Sequence, residues 1–76
     1  MAREQRIEML AEMVANVLVV EVAVGDSVAI GDTVVLLESM KMEIPVIAEA
    51  AGTVTAVKVV AGDVVQEGDP LVELTG

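Results

Sequence analysis

Seventy-six residues without cysteine, histidine, phenylalanine, tyrosine or tryptophan allow one small domain with a thin aliphatic core. That composition excludes disulfides, thiolate and imidazole metal sites and histidine-based catalysis. The net charge of −9, from 13 acidic against four basic residues, would repel phosphate backbones and anionic lipid, so neither nucleic acid nor membrane is expected as a partner.

No apolar run approaches the ~18 residues of a spanning helix. Glu4, Glu8 and Glu12 interrupt any signal-peptide core behind Arg3 and Arg6. A cytoplasmic, monomeric protein is expected. Residues 1–5 are expected to be frayed, and residues 6–76 to form the domain.

From Ile7 the chain is ambiguous. Ile7, Leu10, Ala11 and Val14 have the spacing of an amphipathic helix. An internal repeat argues otherwise. Displaced by 37 residues, Val17–Glu38 lies over Val54–Thr75 without a gap, with ten of 22 positions identical. The same offset places Ile7, Ala11 and Glu12 on Ile44, Ala48 and Glu49. The halves are roughly 5–38 and 42–75. Because Pro45 opposes helix in the second copy, the matching first segment, Glu8–Val14, is expected to be a strand.

Val17–Val24 follows as a strand, then turns at Gly25-Asp26 and Gly31-Asp32, then a strand over Val34–Ser39. The second half repeats this order: Met42–Ile47, with Pro45 marking a sheet edge, then Thr53–Val60, turns at Gly62-Asp63 and Gly68-Asp69, and Leu71–Thr75. Glycine supplies positive φ and aspartate accepts from a nearby backbone N–H. Calcium binding by these aspartates is disfavoured, because no segment has the ligand spacing of a calcium loop. The seventeen valines suit strands. The expected fold is all-β, one domain with pseudo-twofold symmetry.

Between Val34–Ser39 and Met42–Ile47 only Met40 and Lys41 remain, the length of a tight hairpin. The loop has no glycine, asparagine or aspartate, and a plain type I turn would accept these residues. The repeat maps this hairpin onto the place where the chain begins and ends. The N-terminal strand should therefore pair beside the C-terminal one, with Lys41 at the opposite pole, projecting into solvent. A lysine there could be an ordinary solvated turn residue, and its methionine neighbours ordinary strand packing. Met42 fits packing and partner contact equally well.

The run Glu38-Ser39-Met40-Lys41-Met42-Glu43 resembles the attachment motif of biotinyl domains, the biotin carboxyl carrier modules of biotin-dependent carboxylases. Ser39 stands where the family's commonest form has alanine. The resemblance extends over nearly the whole chain and is strongest to short free-standing biotin/lipoyl attachment proteins. Val14-Ala15-Asn16 departs from the Pro-Gly-Thr of many relatives, a change expected to alter the local turn, and no protruding thumb insertion is apparent. The resemblance implies a flattened β-barrel of two four-stranded antiparallel sheets. It implies biotin joined as an amide to the Lys41 amine by a biotin protein ligase. Met40 and Met42 would then be adaptable apolar contacts for the ligase and partners, with Glu38, Ser39 and Glu43 as motif flanks. The biotin would carry carboxylate between the biotin carboxylase and carboxyltransferase subunits of a carboxylase.

The residues fit a tether better than a catalyst. A Schiff-base or general-base lysine needs burial or a neighbouring cation, and Glu38 and Glu43 beside Lys41 supply neither. With no histidine, cysteine or tyrosine, and little volume for a substrate pocket, a stand-alone enzyme is disfavoured. Two readings compete with biotin: a lipoyl domain, whose lysine is generally flanked as Asp-Lys-Ala or Asp-Lys-Val rather than by methionines, and an unmodified interaction module.

Overall fold

A computed structural model describes residues 6–76, so the expected fraying at 1–5 lies outside the described residues. Eight strands follow in order: β1 (Arg6–Leu10), β2 (Ala15–Val20), β3 (Ser27–Val28), β4 (Thr33–Ser39), β5 (Met42–Ile47), β6 (Gly52–Val57), β7 (Val64–Val65) and β8 (Pro70–Thr75). They form two four-stranded antiparallel sheets, ordered β1-β8-β6-β3 and β5-β4-β2-β7.

The helical spacing at residues 7–14 produces no helix. The strand expected over Glu8–Val14 is also corrected: it runs Arg6–Leu10 and stops early. The register with β8 shifts between Met9 and Leu10, and Ala11 is held by the residues just ahead of β8, its N–H donating to the Asp69 carbonyl and its carbonyl accepting from the Gly68 N–H, both at 2.8 Å. Residues 12–14 then bend, and β2 begins at Ala15, whose methyl group is buried in the core. Of Val14-Ala15-Asn16, where an altered turn is expected, Val14 lies in this bend and Ala15 and Asn16 open β2. The expected strands Val17–Val24 and Thr53–Val60 start two and one residues earlier and end at Val20 and Val57. Beyond those ends the backbone crosses to the opposite sheet, where Gly25 N–H donates to Val54 O and Gly62 N–H to Val17 O, both at 2.8 Å.

Those two hydrogen bonds are images of each other under the 37-residue shift, and so are the strands. The shift carries β2 onto β6, β3 onto β7, and the pair Asn16↔Glu38 onto Thr53↔Thr75. The halves also interlock. β3 of the first half pairs with β6 of the second, and β7 of the second with β2 of the first. The short strands β3 and β7 that carry this exchange are two residues each, too brief to leave a pattern in the sequence.

The four Gly-Asp pairs are the turns expected of them. Asp26, Asp32, Asp63 and Asp69 each accept, through Oδ2, the N–H three residues earlier, at 2.9 to 3.0 Å. Each preceding glycine has φ between 91° and 98°. A methyl group at Gly68 would meet nothing within 4 Å, so Gly68→Ala costs backbone conformation alone. The expected loss is about 1–2 kcal/mol, read as a lowered urea midpoint at unchanged slope.

Inside, Val17, Val34, Val35, Leu37, Val54, Leu71, Val72 and Leu74 are fully buried, and the buried residues described are all apolar. Valine and leucine rows on the inner faces of the two sheets therefore make the core. Alternation along each strand sends the intervening residues outward.

Candidate functional site

Ser39 pairs with Met42 across β4 and β5, leaving Met40 and Lys41 as a two-residue loop. Both are left-handed, with φ of 53° and 65°. Positive φ at both central residues defines a type I′ turn, whose twist matches that of the flanking strands. The plain type I turn considered from sequence is thus corrected. A type I turn would splay β4 and β5, whereas the type I′ turn keeps them paired to the last residue. For residues other than glycine this conformation costs roughly 1–2 kcal/mol apiece. The ladder of six residue pairs between β4 and β5 holds it in place.

The turn puts Lys41 at the tip of the hairpin, exposed to solvent. Met40 is 89% exposed and Met42 59% exposed, so neither methionine serves mainly as packing. Glu43 is exposed, and Glu38 and Ser39 are half-buried at the mouth of the hairpin. Glu38 and Glu43 face each other as a cross-strand pair, with Asn16 beside Glu38 on β2. Two like charges directly opposite disfavour the sheet, so this pair adds no stability to the hairpin it brackets. Among the described residues the ion pair present is Arg6 with Glu73, 3.6 Å apart, which does not involve Lys41.

The other end of the molecule is the symmetry mate of the hairpin. There Arg6 pairs with Thr75, so β1 lies beside β8 as the duplication requires. β5, with Pro45, is an edge strand. All six motif residues thus gather in one hairpin and its mouth. What sequence reasoning missed is the left-handed backbone of Met40 and Lys41. The signal was present, since a two-residue hairpin loop favours the primed turns whatever its residues.

Among the described residues, what is buried is apolar, with no buried acid, base or hydroxyl. At the hairpin that joins the two halves, the Lys41 amine protrudes into solvent. A two-sheet flattened β-sandwich with a lysine at the hairpin joining duplicated halves is the architecture of cofactor-attachment domains. The chain belongs to the biotin/lipoyl attachment family described as "Biotin-requiring enzyme", whose profile matches residues 5–74.

Over 36 residues it is 69% identical to "Biotinylated protein TB7.3" of Mycobacterium tuberculosis (strain ATCC 25618 / H37Rv), a match covering 47% of this chain and 51% of that one. The homologue from Mycolicibacterium smegmatis gives the same identity and coverage. The matched segment thus spans about half the length of these curated relatives. Among solved structures it resembles part of a single-chain, multi-domain long-chain acyl-CoA carboxylase, with TM-score 0.87 and 33% identity over 92% of this chain and 7% of that one. It also resembles part of the Kluyveromyces lactis urea carboxylase, with TM-score 0.86 and 30% identity over 97% of this chain and 6% of that one.

Proposed function

We propose that the protein is a biotin carboxyl carrier whose biotin is joined as an amide to Nζ of Lys41. The observation that carries this reading is the type I′ hairpin. It holds Lys41 beyond the last strand pair, between two exposed methionines, in a chain of the family described as "Biotin-requiring enzyme". A biotin protein ligase forms the amide. The biotin ring then takes up carboxylate at a biotin carboxylase site and delivers it at a carboxyltransferase site. The similarity to segments of two carboxylases supports such partners. The chain itself acts as a monomeric, non-catalytic carrier.

In this role the protein's contribution is presentation. The cofactor supplies the transfer chemistry, and tethering raises its concentration at each partner site to the order of mM. Met40 and Met42, flexible and apolar, are the adaptable surface that differing partner sites require. The same methionines favour biotin over lipoate, since they occupy the positions next to Lys41.

The test is intact mass after incubation with a biotin protein ligase, biotin and ATP. The expected result is one biotinyl increment per chain. No increment on folded protein, with the ligase active on a control substrate, would overturn the reading.

A further inference from the structure

The duplication provides an internal control for the outer faces of the two sheets. On the sheet that carries Lys41, the cross-strand row one pleat inward from Glu38 and Glu43 is Val19–Leu36–Pro45. Its image under the 37-residue shift on the other sheet is Ala56–Glu73–Glu8. One row is wholly apolar and the other carries two carboxylates. One neighbouring position diverges in the same sense, while another is charged on both sheets. Leu18, in the bulge of β2, corresponds to Thr55, whose hydroxyl donates to Glu73 Oε1 at 3.1 Å. Glu43 corresponds to Arg6, which pairs with Glu73.

The backbone is the same in both places, so folding does not require the apolar version. An outer face of Thr, Glu and Arg completes one sheet, with Glu73 satisfied by Thr55 and Arg6. The other sheet leaves Val19 41% exposed, with Leu36 half-buried and Pro45 exposed beside it. Apolar side chains kept in water on one of two equivalent faces mark a surface that another molecule covers.

Its position identifies the occupant. Pro45 is four residues from Lys41 along β5, about 13 Å at strand rise. The loop projects only two residues past the pair Ser39↔Met42. A protein that encloses the Lys41 amine must therefore also meet the sheet behind it. The row nearest the tip, Asn16–Glu38–Glu43, places two carboxylates between the lysine and the apolar row. The complementary surface is apolar at its centre with cations opposite Glu38 and Glu43.

We infer that the outer face Val19–Leu36–Pro45 is a docking surface for the ligase that modifies Lys41, which meets it with an apolar patch bordered by basic residues. The inference rests on the assignment of Lys41 as the biotinylated residue. It is tested by initial rates of biotinylation against carrier concentration for wild type, Leu36→Gln, Val19→Thr and, on the twin row, Glu8→Gln. The expected result is a KM for the carrier raised about tenfold by Leu36→Gln and by Val19→Thr, with kcat little changed and Glu8→Gln like wild type.

Circular dichroism and thermal melting establish that each variant is folded. If Leu36→Gln fails to fold, Val19→Thr decides, because its side chain is already exposed and threonine retains strand preference. A KM within about twofold of wild type in folded Val19→Thr overturns the inference, as does an equal rise in Glu8→Gln. Failure of wild type to take up any label would instead sink the assignment of Lys41.

Discussion

Replacing Lys41 with arginine is expected to abolish biotinylation entirely while leaving the fold and its stability unchanged. Arginine keeps the charge and most of the length, but its delocalised guanidinium is no acceptor for an acyl group. It meets the same backbone cost as lysine at φ 65°, so the hairpin has no reason to rearrange. Lys58 is the informative comparison. It too is exposed, yet its N–H is held by the Leu71 carbonyl at 2.8 Å, and it lies just past the end of β6 rather than at a hairpin tip. If exposure alone selected the lysine, the Lys41→Arg protein would still gain a biotinyl group at Lys58. Intact mass with peptide mapping distinguishes the two. Any increment on Lys41→Arg would show that the left-handed hairpin is not what the ligase reads.

Severing the halves is expected to cost the whole fold. A chain of residues 42–76 retains β5 to β8, but of the strand pairings these elements make, only β6 with β8 lies within the half. β5 loses β4 and β7 loses β2. An isolated two-stranded ribbon is marginal in water. The half would also expose Val54, Leu71, Val72 and Leu74, all fully buried in the intact domain. Removing even one such side chain costs about 2–5 kcal/mol, against a total stability of the order of 4–11 kcal/mol for this length. The expected outcome is a disordered far-ultraviolet spectrum and no cooperative urea transition for the monomeric half. A folded, monomeric 42–76 would show that the interlocking of β3 and β7 is not what sustains the domain.

Much of this architecture is legible in the residues, and the reason is the duplication. Ten identities at a constant offset tie the ambiguous Ile7–Val14 window to a segment containing Pro45, and this is what removes the helix. The same offset pairs β1 with β8 and sends Lys41 to the opposite pole. Strand ends are less legible, because they are set by crossings between sheets. β2 stops at Val20 although valines continue to Val24, since the backbone leaves to reach Val54. β1 ends at Leu10, just past the register shift between Met9 and Leu10, where β8 itself begins at Pro70. The strands β3 and β7 are invisible for the same reason: their partners lie in the other half and their length is two residues. The motif around Lys41 points to the proposed tether, but its residues contain no sign of their backbone angles. Met40 and Lys41 take positive φ because the ladder on either side demands a primed turn. The contrast between Leu36 and Glu73 was available from the same repeat, in its differences rather than its identities.

The interlocked halves have a consequence for how such a domain could arise. Strands that exchange between two equivalent halves are the arrangement of a symmetric dimer of short chains, each supplying what the other lacks. Joining the C-terminus of one copy to the N-terminus of the next converts that dimer into a monomer, and the join falls at residues 39–41. The lysine then occupies the seam. A seam is a new segment that the dimer's core never had to accommodate, free to acquire a protruding residue without disturbing any packed row. It also has no twin among the described residues: the opposite pole carries β1 and the end of β8 instead of a joining hairpin. Under the proposed assignment of Lys41, a duplicated scaffold thereby presents a single attachment point, and one carrier holds one cofactor.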